Sequence, residues 1–226
     1  MQDIIQFLPA AFTMVFIPLF IIVNPSSTLA LFSAITTNYT KKQRKQLAKN
    51  AVKYAAILLF IFAIAGSAIL EYLGIEIYSL RIAGGILLAF VGLDMTRRGQ
   101  QFGESPPGEK QKADYAIVPL AMPSLSGPGA ITVIIVSMKN LTEGSATTPS
   151  MPWFVSIIIA FISIILVMII TYFIFLSSKF VIKGLGEKGM DAFTRIMGLL
   201  TVAIAIQFMF TAIQTFLELY GVLPNI

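Results

Sequence analysis

Two polar stretches interrupt hydrophobic segments of this chain about a hundred residues apart, and both are built of residue types that bind small anions. The first is Asn24-Pro25-Ser26-Ser27-Thr28; the second is Ser124-Leu125-Ser126-Gly127-Pro128-Gly129. Asn before Pro marks a helix start. The Asn side chain accepts from first-turn amides, and Pro suits the first helical position because its missing N–H would be unpaired there anyway. A helix start leaves amides without partners and carries roughly half a positive charge, which suits a carboxylate. Ser26, Ser27 and Thr28 offer amides and hydroxyls at the first break, and Ser124, Ser126, Gly127 and Gly129 at the second. Glycine lets a ligand approach the backbone, and open carbonyls on the unwound side can receive an amino group. A pocket made from Asn24, Pro25, Ser26, Ser27, Thr28, Ser124, Ser126, Gly127, Pro128 and Gly129 fits a small zwitterion and needs no buried ionised side chain. The plainer alternative is that Pro and Gly only kink packed helices.

The elements that would position these breaks lie in a bilayer. Mean hydropathy is +0.85, 57% of the 226 residues are hydrophobic and 12% are charged, about half the usual share for a soluble domain. Six hydrophobic segments are expected, at about 4–40, 51–70, 77–96, 115–138, 152–178 and 194–217. The first is too long for one straight span, since as a helix it would reach about 55 Å across a hydrocarbon core of roughly 30 Å. A break at Asn24-Pro25 accounts for the surplus. Broken backbone at membrane depth survives only when buried in protein or lining a wet cavity. The expectation is therefore an all-α integral membrane protein with broken helices in spans one and four. It forms a single transmembrane domain with lipid as its surroundings.

Charge placement gives an orientation. Lys41, Lys42, Arg44, Lys45, Lys49 and Lys53 follow segment one; Arg97, Arg98, Lys110 and Lys112 follow segment three; Lys179, Lys183, Lys188 and Arg195 follow segment five. Only Arg81 and Lys139 fall on the other side. The positive-inside rule puts the rich loops in the cytoplasm and both termini outside. The run Lys41–Lys53 then reads as a topology signal and not as a nucleic-acid surface, so no nucleic-acid partner is expected. The opening Met-Gln-Asp-Ile-Ile has no basic n-region, so the first segment is expected to stay in the protein.

The halves resemble each other. Arg81-Ile82-Ala83-Gly84 opens segment three, and Arg195-Ile196-Met197-Gly198 opens segment six. Ile17-Pro18-Leu19 pairs less closely with Val118-Pro119-Leu120, and Asn38 with Asn140. Repeat one would cover about 1–96 and repeat two about 115–226, joined by a cytoplasmic linker at about 97–114. Three spans per half is an odd number, so the second half must start from the opposite side. Six helices in two inverted three-span repeats is an arrangement shared by many secondary transporters.

Further polar residues lie in or near the spans. Arg81 and Arg195 can gate a path or hold a carboxylate, although each sits at a helix edge where it can snorkel. Asp94 can carry a coupling proton, but Arg97 and Arg98 follow three and four positions later and favour a surface ion pair. Gln207 lies inside segment six and needs a hydrogen-bond partner, either along a pathway or as glue between helices.

These residues also carry a family likeness. Asn24-Pro25 with Thr28-Leu29-Ala30-Leu31-Phe32, Leu80-Arg81-Ile82-Ala83-Gly84-Gly85-Ile86, Val118-Pro119-Leu120-Ala121-Met122-Pro123 with Ser126-Gly127-Pro128-Gly129-Ala130-Ile131, and Arg195-Ile196-Met197-Gly198-Leu199-Leu200 recur in order along nearly the whole chain. In these the chain resembles the MarC family of bacterial inner-membrane proteins, also described as six-span neutral amino-acid transporters. The resemblance implies a multi-pass protein of the bacterial inner membrane that moves small neutral amino acids such as glycine and alanine, or similar metabolites.

The chain has neither Cys nor His. Zinc, copper and haem sites lose their commonest ligands, and Ser-His-Asp or Cys-His catalysis is excluded. No enzyme activity, metal or cofactor is expected. A coupling ion, sodium or a proton, is compatible with the residues. Two rivals to a carrier stay open: a channel-like pore, and a membrane protein that transports nothing.

Overall fold

Two helix starts along this chain, those of α2 and α3, are set by local side-chain capping. In a computed structural model describing residues 2–99, 116–145 and 148–220, every regular element is helical. α1 (Gln2–Val23) runs into Asn24, which takes a left-handed conformation (φ 42°), and α2 (Pro25–Ile35) begins at the next residue. α3 (Lys41–Tyr72) starts with a capping box: Thr40 Oγ1 accepts from the Gln43 amide, and the Gln43 side chain accepts from the Thr40 amide. That box extends the helix through the lysine-rich stretch that the charge pattern places in a loop. α4 (Ile77–Arg98) follows a short turn at Gly74. The expected 97–114 linker, with Lys110 and Lys112, lies outside the described residues from position 100 on.

The fourth hydrophobic segment is not one helix. Ala116–Leu125 is π-helical, and α5 (Pro128–Glu143) follows. Pro119 and Pro123 lack amides, so each removes a bond from a regular i→i−4 ladder here. The π register closes with the Ser126 amide donating to the Ala121 carbonyl, five residues back, at 2.9 Å. α6 (Trp153–Leu176) is unbroken, and α7 (Ser178–Leu219) bends at Gly186, whose φ of 66° only glycine adopts freely.

Five stretches are long and apolar enough to cross a bilayer: Gln6–Ile35, Lys41–Tyr72, Ile77–Arg98, Trp153–Leu176 and Lys188–Leu219. Their outward rows are aliphatic and aromatic. Ile57, Ile61 and Ile64 on α3, Ile158, Ile162, Ile165 and Ile169 on α6, and Ile206, Phe210 and Ile213 on α7 are all exposed. In water this surface would be strongly unfavourable, at about 25 cal/mol per Å²; in lipid it is the matching solvent. The buried interior runs continuously from Val15 and Leu19 through Phe32, Leu59 and Leu88 to Ile134, Ile164 and Phe175.

The helices pack in matched sets. α4 lies along α7 in the most extensive contact of the fold, and α3 lies against α6. α3 packs on the π-helical segment and on α5, as α6 packs on α1 and α2. α4 touches α5, as α7 touches α2. Glycines permit the closest approaches: a Cβ on Gly198 would come within 2.8 Å of the Gly92 carbonyl oxygen, and one on Gly85 within 2.9 Å of the Ala205 carbonyl oxygen.

Candidate functional site

The two polar stretches are built differently. At the first, Asn24 is buried and its Oδ1 accepts from the Ser26 hydroxyl at 2.6 Å and from the Ser27 amide at 3.4 Å. Its Nδ2 points to Met95 Sδ on α4 at 3.7 Å. Thr28, also buried, donates from its hydroxyl to the Asn24 carbonyl at 3.5 Å. Pro25 is buried, and Ser27 is half-buried. The start of α2 is thus capped from within. Asn tolerates the left-handed backbone that puts its side chain over the first turn.

At the second, Ser126 is fully buried and its hydroxyl donates to the Ala121 carbonyl at 2.8 Å. Ser124 and Gly127 are half-buried, and Pro128 is exposed. Gly127 is the cap residue of α5 and has no side chain to lend, so no side-chain hydrogen bond caps this helix. Pro128 brings no amide, which leaves those of Gly129 and Ala130 facing the break without a cap.

The breaks adjoin one another. A Cβ on Gly129 would meet Leu88 Cδ2 at 2.5 Å and Ile22 Cγ2, in the last turn of α1, at 3.3 Å. Leu88 is at the middle of α4, so α5 begins level with the middle of that helix. Asn24 reaches Met95, seven residues further along α4, or about 10 Å at 1.5 Å per residue. Both helix starts therefore fall within one short length of the same scaffold helix.

The sequence profile of MarC family integral membrane proteins matches residues 10–217. This chain belongs to the MarC family. A UPF0056 membrane protein of Methanocaldococcus jannaschii is 36% identical over 207 residues, spanning 90% of this chain and 96% of that protein. The UPF0056 inner membrane protein MarC of Salmonella typhimurium is 30% identical over 205 residues, spanning 87% and 91%. A UPF0056 membrane protein of Aquifex aeolicus is 29% identical over 214 residues, spanning 92% and 94%. No solved structure gives a significant match.

In this MarC-family chain the remaining polar residues separate into structural and open groups. Arg195 is engaged through two of its nitrogens: Nε pairs with Asp191 at 2.8 Å, and Nη1 donates to the carbonyls of Thr96 at 2.8 Å and Arg97 at 3.2 Å. It ties α7 to the end of α4, where a cation also opposes the helix dipole. Asp94 forms an exposed pair with Arg98 at 2.7 Å, the i,i+4 geometry expected of a surface contact. Gln207 is exposed, and its Nε2 donates to Thr211 Oγ1 on the same helix at 3.3 Å; among the described residues it bonds to no second helix. Arg81 is 7% exposed and donates from Nη2 to Asn140 Oδ1 on α5. Pairing of Asn140 with Arg81 was beyond sequence reasoning, which set Asn140 only against Asn38. The spacing of Gln207, Thr211 and Thr215, each four apart, is the signal that marks a polar face on α7.

Proposed function

We propose that this MarC-family protein is a secondary transporter of small neutral amino acids or similar small metabolites across the bacterial inner membrane. The observation that carries the reading is the uncapped start of α5, seated at the middle of α4 and against the end of α1. A substrate carboxylate takes the amides of Gly129 and Ala130, and carbonyls in the last turn of α1 take its ammonium group. Such a site uses helix ends in place of buried charges, as transporters with broken helices do. It provides recognition and no chemical step, so the protein acts on its substrate without catalysis.

The wider architecture in this reading has six spans, the π-helical segment with α5 forming the fourth. Two inverted repeats are supported by the way contacts exchange: α1, α2, α3 and α4 correspond to the π-helical segment, α5, α6 and α7. Rocking of one half against the other would expose the central site to each side in turn. The lysine-rich start of α3 and the Arg97-Arg98 end of α4 lie inside by the positive-inside rule, with both termini in the periplasm. Sodium or a proton can couple the movement.

Reconstituted liposomes test the proposal. Uptake of radiolabelled glycine or alanine should saturate, and preloaded alanine should drive counterflow. Asn24→Ala and Gly129→Leu should abolish it in protein that still elutes as a folded species. Flux that rises linearly with concentration would make the protein a pore; no flux of any small neutral amino acid would remove the transport reading.

A further inference from the structure

Away from the helix breaks, a cavity of about 600 Å³ opens between the first turns of α4, the end of α5 and the last third of α7. Its wall includes Arg81, Asn140, Gln207, Thr211, Thr215 and Glu218. The four α7 residues recur at intervals of four or three, so they form one polar face of a helix whose Ile206, Phe210 and Ile213 are exposed to lipid. A wet face on a spanning helix needs a reason, because polar side chains in hydrocarbon are costly.

Arg81 supplies the reason. It is more than nine-tenths buried, and its Nε–H has no hydrogen-bond partner among the described residues. Among the described residues its one side-chain bond goes to the neutral Asn140. The ion pairs among the described residues join Asp94 to Arg98, Lys139 to Glu143 and Asp191 to Arg195, and none includes Arg81. Glu143, one turn beyond Asn140, is held by Lys139 at 2.5 Å and lies close enough to offset part of the Arg81 charge without forming an ion pair with it. Arg81 thus stands as a desolvated guanidinium, permanently charged, whose side chain lines a cavity and whose Nε–H is buried without a partner among the described residues. An unsatisfied buried donor costs about 1–3 kcal/mol, and more when charged. A carboxylate in the cavity offsets the buried charge and can take guanidinium N–H groups in the two-pronged geometry arginine favours.

We infer that this cavity is a binding site for a small carboxylate, with Arg81 as its anchor and the Thr211–Thr215 face of α7 along the rest of the ligand. The site is separate from the helix breaks and stands whether or not they bind substrate. Glu218, on the same wall, favours ligands that carry an amine in addition to the carboxylate.

The chain has no cysteine, so one introduced thiol reports the cavity alone. In detergent-solubilised full-length protein, Thr211→Cys is labelled with a small neutral methanethiosulfonate, with propionate, alanine or propionamide as competitor. Propionate and alanine should slow labelling roughly fivefold or more when present well above their Kd. Propionamide, the same shape without charge, should not. Adding Arg81→Gln should remove the protection, whereas adding Arg195→Gln should leave it. Where Arg81→Gln fails to fold, Arg81→Lys decides: it keeps the charge and loses the fork, so the half-protecting concentration should rise about tenfold. No protection by propionate, equal protection by propionamide, or protection unchanged by the Arg81 substitution would each overturn the inference. Failure here leaves the transport reading intact, because that is read from flux.

Discussion

Arg81 and Arg195 occupy equivalent places in the Arg-Ile-x-Gly stretches of α4 and α7, yet the ends of the α4–α7 pair around them differ. At the Arg195 end the guanidinium is spent on Asp191 and on two carbonyls closing α4, and Gly92 and Gly198 bring the backbones into contact. At the Arg81 end Tyr78 still meets Phe216 edge-on at 5.7 Å, but a cavity opens beside the pair, and the guanidinium keeps an N–H unpaired among the described residues. One residue four positions upstream separates the two cases: Asp191 precedes Arg195, while Ile77 precedes Arg81. An i,i+4 acid turns an arginine into a clasp, and its absence leaves a charge for something else to satisfy. The clasped end also holds Asn24 through Met95, so the first helix break is tied to the closed side.

The strongest way to break the comparison is at the closed end itself. Gly198→Leu adds a side chain where a Cβ alone would lie 2.8 Å from the Gly92 carbonyl oxygen and 2.9 Å from Met95 Cβ. It should cost about 3 kcal/mol or more and abolish recovery of folded protein. Gly184→Ala, whose Cβ would meet nothing within 4 Å, should be neutral or stabilising in the same thermal-melt assay.

Asn24→Ala removes the α2 cap and puts a Cβ residue without a side-chain acceptor in left-handed backbone. We expect a loss of about 2 kcal/mol, against less than about 1 kcal/mol for Asn24→Gly, which tolerates that backbone. Equal losses would mean the Oδ1 bonds and not the backbone set the cost. Ile77→Asp transplants the acid of the closed end to the open one. It should occupy Arg81 and raise the half-protecting propionate concentration about tenfold, or 1.4 kcal/mol; an unchanged value would show that spacing alone does not make the clasp.

Arg195→Gln should cost no more than about 1 kcal/mol, since its pair with Asp191 is partly exposed, and the loss should shrink in high salt. Asp94→Asn, in a more exposed pair, should change melting by less than about 0.5 kcal/mol and leave alanine flux untouched; a lost pH dependence of flux would instead give Asp94 the coupling proton.

Asn24-Pro25 and Asp94–Arg98 were readable because their partners lie within a turn: an Asn cap over Ser27, an acid four residues from a base. The lysine-rich stretch 41–50 was not, because charge pattern speaks to membrane side and says nothing of helix continuity, which the Thr40–Gln43 box supplies. The fourth segment looked like one interrupted span, yet its first half takes a π register. Hydrophobic length carries no trace of which carbonyl an amide will choose.

By itself the sequence determined the solvent and the helical class, since runs of apolar residues have one stable outcome in lipid, and it placed the start of α2 through local capping. Only the tertiary structure decided that Gly129 meets Leu88 at mid-helix, that Arg81 bonds to Asn140 at the wall of a cavity, and that Arg195 closes on α4. Those pairings join residues 41, 59 and 99 positions apart. Their energies depend on how helices stack and on what each neighbour has left to donate or accept, and no local pattern encodes that.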